Sequence, residues 1–298
     1  MSGDRPALFD LSDRCKLRLT GSDRVRFLNG QVTNDVRKAA SVEAIQACVL
    51  NAKGKINAHL YVSAADDFFL IDSDAELQTA LPARLHRYII ADDVQVEDIT
   101  SEFALFHVTT DDVSSLPNEC RIVRANRFGV TGLDLLIGRA EADRLRRELS
   151  ATYSTCDVNR AEMLRIENGI PRWGRELTEE IIPNEAGLEE DAIDYQKGCY
   201  IGQEVISRIK TSGQTNKTMC GLVSTSGAKL TPGLRLHPAP DRSKDAGWIT
   251  SATYSERVGK EIALGYVKRP FNVVGSELEA EGLEGASIPL RIVPLPFA

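Results

Sequence analysis

The sequence predicts an α+β protein whose last part turns into an all-β barrel. Three observations carry this reading. Before residue 213, apolar runs of strand length outnumber the segments with helical apolar spacing that punctuate them. From Gly213 onward, short apolar runs at 218–223, 248–252, 262–267 and 288–293 are divided by clusters of Gly, Pro and Ser, which is how a small barrel or sandwich reads. The chain has 298 residues, enough for two or three packed units of about 100 to 200 residues each. We place the boundary near 213–216, giving an interleaved α+β region at 1–213 and a β-barrel domain at 214–298. No solenoid-period repeat or low-complexity stretch interrupts this plan.

The elements follow in order. Residues 7–19 end in the alternation Cys15-Lys16-Leu17-Arg18-Leu19 and run into Thr20-Gly21-Ser22-Asp23, a turn and helix-cap signal, so strand, turn and helix are expected. Residues 23–29 place Val25, Phe27 and Leu28 at near-helical spacing. The stretch Asn29-Gly30-Gln31-Val32-Thr33-Asn34-Asp35 then reads as a polar loop, and its Asn29 and Asn34 are candidate ligand contacts. Apolar runs at 44–50 and 56–62 flank Asn51-Ala52-Lys53-Gly54-Lys55, which has the composition of a hairpin turn. Another strand follows at 68–72. Residues 76–90 carry Leu77, Leu81, Leu85 and Tyr88 at steps of three and four, so a helix is expected, with Pro82 near its start or at a kink. Strand character returns at 94–99, 104–109, 121–127 and 133–138, before an amphipathic helix at 141–149. Residues 160–168 read as a helix closed by Gly169 and stopped by Pro171.

Composition bounds the function. Hydrophobic residues make up 42% and charged residues 27%, values of an ordinary globular protein that give no case for disorder. With 43 acidic against 36 basic residues, a net charge of -7 argues against a broad phosphate-neutralising surface, so no direct nucleic-acid partner is expected. Residues 1–10 lack a basic head and apolar core, and no run of about 20 apolar residues occurs, so a cytoplasmic protein without a membrane partner is expected. The six cysteines are scattered with no Cys-x-x-Cys pair, and the four histidines lie far apart. Neither a zinc site, a disulfide framework nor a permanently protein-held cluster is suggested, and no metal ligand is assigned.

The most informative stretch is Lys197-Gly198-Cys199-Tyr200-Ile201-Gly202-Gln203-Glu204, followed by the helix-like 205–209. Two glycines clear space around Cys199, Lys197 brings a positive charge two residues away, and a helix starting near Gly202 would add its N-terminal dipole. All three favour a thiolate. The competing reading is an inert cysteine buried in a tight turn.

This octapeptide resembles the signature of the YgfZ-type proteins related to the glycine-cleavage T-protein. The 27–35 stretch Phe27-Leu28-Asn29-Gly30-Gln31-Val32-Thr33-Asn34-Asp35 is similar to the superfamily's N-terminal signature. Leu164-Arg165-Ile166-Glu167-Asn168-Gly169-Ile170-Pro171-Arg172-Trp173-Gly174 and Ile182-Pro183-Asn184-Glu185-Ala186-Gly187-Leu188 resemble two more, and Asn216-Lys217 with Ile262-Ala263-Leu264-Gly265-Tyr266-Val267 resemble its C-terminal landmarks. The resemblance implies a T-protein-like, clover-like arrangement around a central channel holding tetrahydrofolate, with a separate C-terminal barrel. A pterin presents adjacent N–H donors that a carboxylate accepts in bidentate fashion, a flat ring that stacks on aromatics, and a glutamate tail that seeks cations. Glu185, then Trp173 or Tyr200, then Arg172, Arg175 or Arg208 fit those three roles. Core packing for Trp173, and a solvated surface for each arginine, are the plain alternatives.

One departure separates the branches of this family. The aminomethyltransferase resembles this chain near Gly54 but has a Gly-Gly-x-x-Asp-Asp pattern there, whereas this sequence reads Gly54-Lys55-Ile56-Asn57-Ala58-His59. The carboxylate that proton transfer to a folate nitrogen would use is missing, with His59 as the conceivable substitute. The YgfZ resemblance therefore implies a tetrahydrofolate-binding accessory protein that supports iron–sulfur cluster assembly or repair, with Cys199 and Lys197 as functional residues. Its partners would be folate and iron–sulfur enzymes or cluster-assembly proteins, and an effect on tRNA thiomethylation would be indirect. The alternative is a folate-dependent aminomethyltransferase or related one-carbon transferase.

Overall fold

The structure, a computed structural model, describes residues 5–239, 241–282 and 286–298. Two compact units interlace in sequence, the first made of Met1–Val158 and Glu189–Val205, the second of Asn159–Leu188 and Ile206–Ala298. In chain order the elements are β1 (Ala7–Asp10), β2 (Cys15–Thr20), α1 (Arg24–Gln31), β3 (Ile45–Leu50), β4 (Ile56–Ala64), β5 (Phe69–Ser73), α2 (Ala80–His86), β6 (Gln95–Asp98), β7 (Phe103–Val108), β8 (Arg121–Asn126), β9 (Thr131–Gly138), α3 (Ala142–Thr152) and β10 (Ser154–Thr155). They continue with α4 (Val158–Glu167), α5 (Glu189–Ala192), α6 (Gln203–Ser212), β11 (Lys217–Ser224), β12 (Arg235–Pro238), β13 (Gly247–Ser255), β14 (Lys260–Lys268), β15 (Glu277–Glu281) and β16 (Ser287–Val293).

The first unit holds two five-stranded sheets, ordered β10-β1-β7-β9-β8 and β3-β4-β5-β2-β6. Apolar side chains join them: Leu70 of β5 packs with Leu105 of β7 and Leu136 of β9. On the first sheet, α3 lays down Ala142, Leu145 and Leu149, one face at helical spacing, over Leu133, Leu135 and Ile137.

A buried charge network accompanies this apolar contact. Arg127, 6% exposed, donates from Nε to Asp134 at 2.8 and 2.9 Å and from Nη1 and Nη2 to Asp72 at 3.0 and 2.6 Å, with Nη2 also reaching Asp134. Its guanidinium carbon lies 4.2 Å from the Tyr61 ring centre, and His107 Nδ1 pairs with Asp134 Oδ1 at 2.8 Å. Asp72 sits on β5 and Asp134 on β9, so one guanidinium ties the two sheets together. Gly132 makes the His107 packing possible, because a Cβ there would fall 2.4 Å from two ring atoms. Burial alone would raise the Asp134 carboxyl, but the Arg127 charge and the hydrogen bonds from His107 and Arg127 overcome it and hold the group at about 2.

In the second unit β11 to β16 close into a barrel in the order β11-β14-β13-β12-β15-β16, with β16 pairing back onto β11. Leu222, Ile249, Ala263, Val267, Leu278 and Leu290 fill it. The segment Asn159–Leu188 is held to the barrel by polar bonds. Arg165 reaches Glu176 at 3.0 Å and Ser251 at 2.6 Å, Ser251 donates to Glu176 at 2.7 Å, and Tyr266 donates to the Glu176 carbonyl at 2.9 Å.

The expected α+β class and C-terminal barrel are borne out. Residues 76–90 do not form one helix; a 3-10 turn at Ala75–Leu77 precedes α2, where Pro82 is the third residue. Proline is tolerated there because the first-turn N–H groups lack intrahelical acceptors. Strands β12 and β15 go beyond the apolar runs that mark the other barrel strands: Glu-Leu-Glu-Ala-Glu of β15 has no β-branched residue, yet its period of two puts Leu278 and Ala280 inside.

Arg127→Met should lower the unfolding free energy by about 3–5 kcal/mol in urea, because Asp134 is left buried without its cation and Asp72 keeps only Arg14. A loss below about 1 kcal/mol would show that the network is replaceable. The pH dependence has a definite sign. With Asp134 held at about 2 in the fold against about 3.9 in an unfolded chain, its contribution is complete above pH ~4 and is lost as pH falls toward 2, a loss that Asp134→Asn should abolish.

Candidate functional site

Within the first unit the loop after α1 meets the returning segment around α5. Thr33 Oγ1 donates to the Ala192 carbonyl at 2.5 Å, Asp194 N–H donates to the Thr33 carbonyl at 3.0 Å, and Asn34 Nδ2 donates to the carbonyls of Asp191 at 3.2 Å and Gln46 at 2.9 Å. Lys38 adds an ion pair to Asp194 at 2.9 Å. Lys197 closes this junction. Its Nζ donates to the carbonyls of Asn29, Val32 and Asn34 at 2.7, 2.6 and 2.7 Å, and lies 5.1 Å from the centre of the Tyr200 ring. The residue is 6% exposed. Asn29 Oδ1 accepts from Val36 N–H at 3.1 Å, so of the two asparagines expected to touch a ligand, Asn29 braces the loop's own backbone and Asn34 ties the loop to α5 and β3.

Cys199 is exposed, while Cys15, Cys48, Cys120 and Cys220 are buried and Cys156 is partly so. Burial pushes the thiols of Cys15 and Cys48 up to about 12. The anticipated helix does begin just past Cys199, with α6 starting at Gln203. Gly202 makes the approach possible: its φ is +85°, and a Cβ would fall 2.6 Å from the Asn51 carbonyl in the β3–β4 turn. Lys197 has three N–H groups and three carbonyl acceptors, so its hydrogen-bonding capacity is filled by the 29–34 loop and none is left for Cys199. Tyr200 is buried, its ring packed against that ammonium.

The second unit carries the remaining candidates. Glu185 lies in the 3-10 turn Pro183–Ala186 at 3% exposure. Lys217 at the start of β11 donates to both its oxygens at 2.9 Å, and Ile182 N–H donates to Oε2 at 3.1 Å. Each carboxylate oxygen has two lone pairs, so Oε2 is filled and Oε1 retains one. Bidentate capture of a pterin edge therefore requires Lys217 to move off Oε2. Trp173 is half-buried and pairs with Leu177 in a short bridge. Arg172 and Arg175 are exposed beside it, Arg172 reaching Glu162 at 3.2 Å, and Arg208 is exposed on α6. Sequence reasoning misses the role of Lys217, which stands 32 residues from its partner with no local pattern to link them.

The β4 strand, Ile-Asn-Ala-His-Leu-Tyr-Val-Ser-Ala, contains no carboxylate. His59 is buried, its Nε2 3.0 Å from Gln46 Oε1, and burial lowers its pKa to about 4. An imidazole of that pKa is a weak base, and its remaining N–H is far too weak an acid to stand in for a carboxyl. Nearby, Asn34, Gln46, Tyr61, Arg124, Glu190 and Asp191 line a cavity of about 380 Å³. Among the described residues no three His, Cys, Asp or Glu side chains converge where a metal ion could sit, and no helix is long and apolar enough to cross a membrane.

Likeness to known proteins runs through nearly the whole chain. Residues 4–110 match the family described as the GCVT N-terminal domain, and residues 217–298 match the glycine cleavage T-protein C-terminal barrel domain. Relatives include an aminomethyltransferase of Desulforamulus reducens, 26% identical over 97% of this chain and 86% of that protein. Another, from Aquifex aeolicus, is 29% identical over 93% of this chain and 80% of that protein. The crystal structure of the glycine cleavage system aminomethyltransferase T from Bartonella henselae superposes with a TM-score of 0.89 at 20% identity, covering 99% of this chain and 87% of that one, which establishes the T-protein fold.

Titration of the native protein with a thiol-reactive dye should show one fast-reacting cysteine, lost in Cys199→Ala. A fast phase that persists in the variant would place the accessible sulfur elsewhere.

Proposed function

The chain belongs to the glycine-cleavage T-protein-like superfamily, and on that premise we propose that it binds tetrahydrofolate and acts as a folate-dependent aminomethyltransferase or related one-carbon transferase. The observation that carries this reading is the end-to-end likeness to proteins named aminomethyltransferase, through both terminal domains. Glu185 suits the pterin edge, since a buried carboxylate accepts N–H donors more strongly than a neutral group does. Trp173 offers a stacking face, and Arg172, Arg175 and Arg208 offer cations for the glutamate tail. Lys217 would cover the Glu185 carboxylate until the pterin replaces one of its hydrogen bonds. The proton transferred to the folate nitrogen must then come from a group outside β4.

A second reading has specific support. The exposed Cys199 and the carboxylate-free β4 strand favour a tetrahydrofolate-binding accessory factor for iron–sulfur enzymes, with the thiol as its working group. Sequence motifs rank this reading first, whereas the relatives' names rank the transferase first.

Calorimetric titration with tetrahydrofolate tests what both readings share. Wild type should bind, and Glu185→Ala should bind about 10- to 100-fold more weakly, the effect of losing hydrogen bonds to a charged group. Equal affinity in the two proteins would remove Glu185 from the site. The readings separate in an assay with tetrahydrofolate and aminomethylated lipoyl carrier protein. Methylene-tetrahydrofolate formed above the uncatalysed rate supports the transferase. No product, together with loss of cluster-enzyme activity in a chromosomal Cys199→Ala strain, supports the accessory factor.

A further inference from the structure

Three backbone carbonyls, those of Asn29, Val32 and Asn34, converge on one point, and the Lys197 ammonium occupies it at 2.6 to 2.7 Å. Carbonyls pointed inward around a shared centre repel one another and are unsatisfied unless a cation sits there. The loop Asn29 to Asn34 thus owes its shape to a side chain more than 160 residues away in sequence, since the three bonds span 163 to 168 positions. Two residues on from that lysine the same backbone presents the exposed thiol of Cys199. On the far side Gly202 rests against the Asn51 carbonyl, and Ile201 N–H donates to the Gly30 carbonyl at 3.4 Å. The Cys199 loop is therefore anchored at both flanks, and the lysine is the charged anchor.

We propose that Lys197 is a positioning residue, a tethered cation whose ammonium organises the Asn29–Asn34 carbonyl cradle and thereby sets where Cys199 is presented. Its significance for function rests on the accessory-factor reading, but the geometry is testable without it. Burial lowers the lysine to about 8, with Asp35 and Asp194 opposing the shift and Arg37 reinforcing it. The charged groups facing it are these three, and the Tyr200 ring covers it from its own segment. A neutral amine keeps two of three N–H donors, so one carbonyl is released when the lysine deprotonates.

The test uses the full-length protein with Lys197→Met and Lys197→Ala, followed by hydrogen exchange and by alkylation of Cys199 with iodoacetamide. Lys197→Met should lower amide protection at 29–36 by about tenfold or more, the size of at least one lost charge-assisted hydrogen bond. It should also change the alkylation rate, while protection in β7 and β9 stays as in wild type. In Lys197→Ala, added propylammonium should restore protection and the wild-type alkylation profile. In wild type, protection at 29–36 should fall as pH rises through about 8. Unchanged protection at 29–36 with an unchanged alkylation profile in folded Lys197→Met overturns the proposal, as does failure of propylammonium to act on a folded Lys197→Ala. A confirmed clamp alongside normal cluster-enzyme activity in the Cys199→Ala strain would sink the functional reading and leave the positioning role standing.

Discussion

A single guanidinium shared by two carboxylates sets the frame of the first unit. Arg127 holds Asp72 of one sheet and Asp134 of the other, and its burial leaves none of the three groups an aqueous alternative. Such a network adds little net stability over an apolar filling of the same volume, but it admits one pairing of the sheets and penalises others. The Cys199 loop is seated on the same sheet that carries Asp72. β5 carries Asp72 and pairs with β4, β4 pairs with β3, and the β3–β4 turn is the surface against which Gly202 packs.

The same chemical device recurs where loops must be shaped. Lys197 is buried in three carbonyls, and Lys16 is buried against the carbonyls of Ser12 at 2.8 Å and Arg14 at 2.6 Å. Burial lowers both lysines to about 8, the loss of water around each ammonium outweighing the nearby carboxylates, Asp72 for Lys16 and Asp35 and Asp194 for Lys197. Lys217 differs: its partner is the Glu185 carboxylate, so that contact is an ion pair a ligand can compete for. In the second unit the chemistry offered to a ligand is thus a carboxylate already engaged.

Much of this architecture is readable in the sequence because it is written locally. The β3–β4 hairpin announces itself by two apolar runs around Asn51 to Lys55, and α3 by Leu145 and Leu149 four residues apart. The barrel's strands are legible where β-branched residues mark them and hidden where they do not, as in β15. The start of α6 just past Cys199 is legible at Gly202, whereas the exposure of Cys199 is not, since a cysteine buried in the turn reads equally well. Long-range partnerships are not readable. Nothing near Lys197 says that its ammonium closes a loop at Asn29 to Asn34, so proximity in sequence suggests a partner for the thiol instead. Nothing near Glu185 reveals Lys217, and Tyr200 reads as available for stacking although it is packed inside. The missing β4 carboxylate is plain from sequence, but the burial that disqualifies His59 as a strong base is not.

Family membership and fold are common ground for the two functional readings, and both propose a folate held at Glu185. Co-crystals grown with tetrahydrofolate give the most direct view of that step. The pterin edge is expected on the Glu185 carboxylate, with the Lys217 ammonium withdrawn from Oε2. A pterin bound elsewhere while Lys217 still bridges both oxygens, or crystals free of folate at saturating concentration, would contradict it.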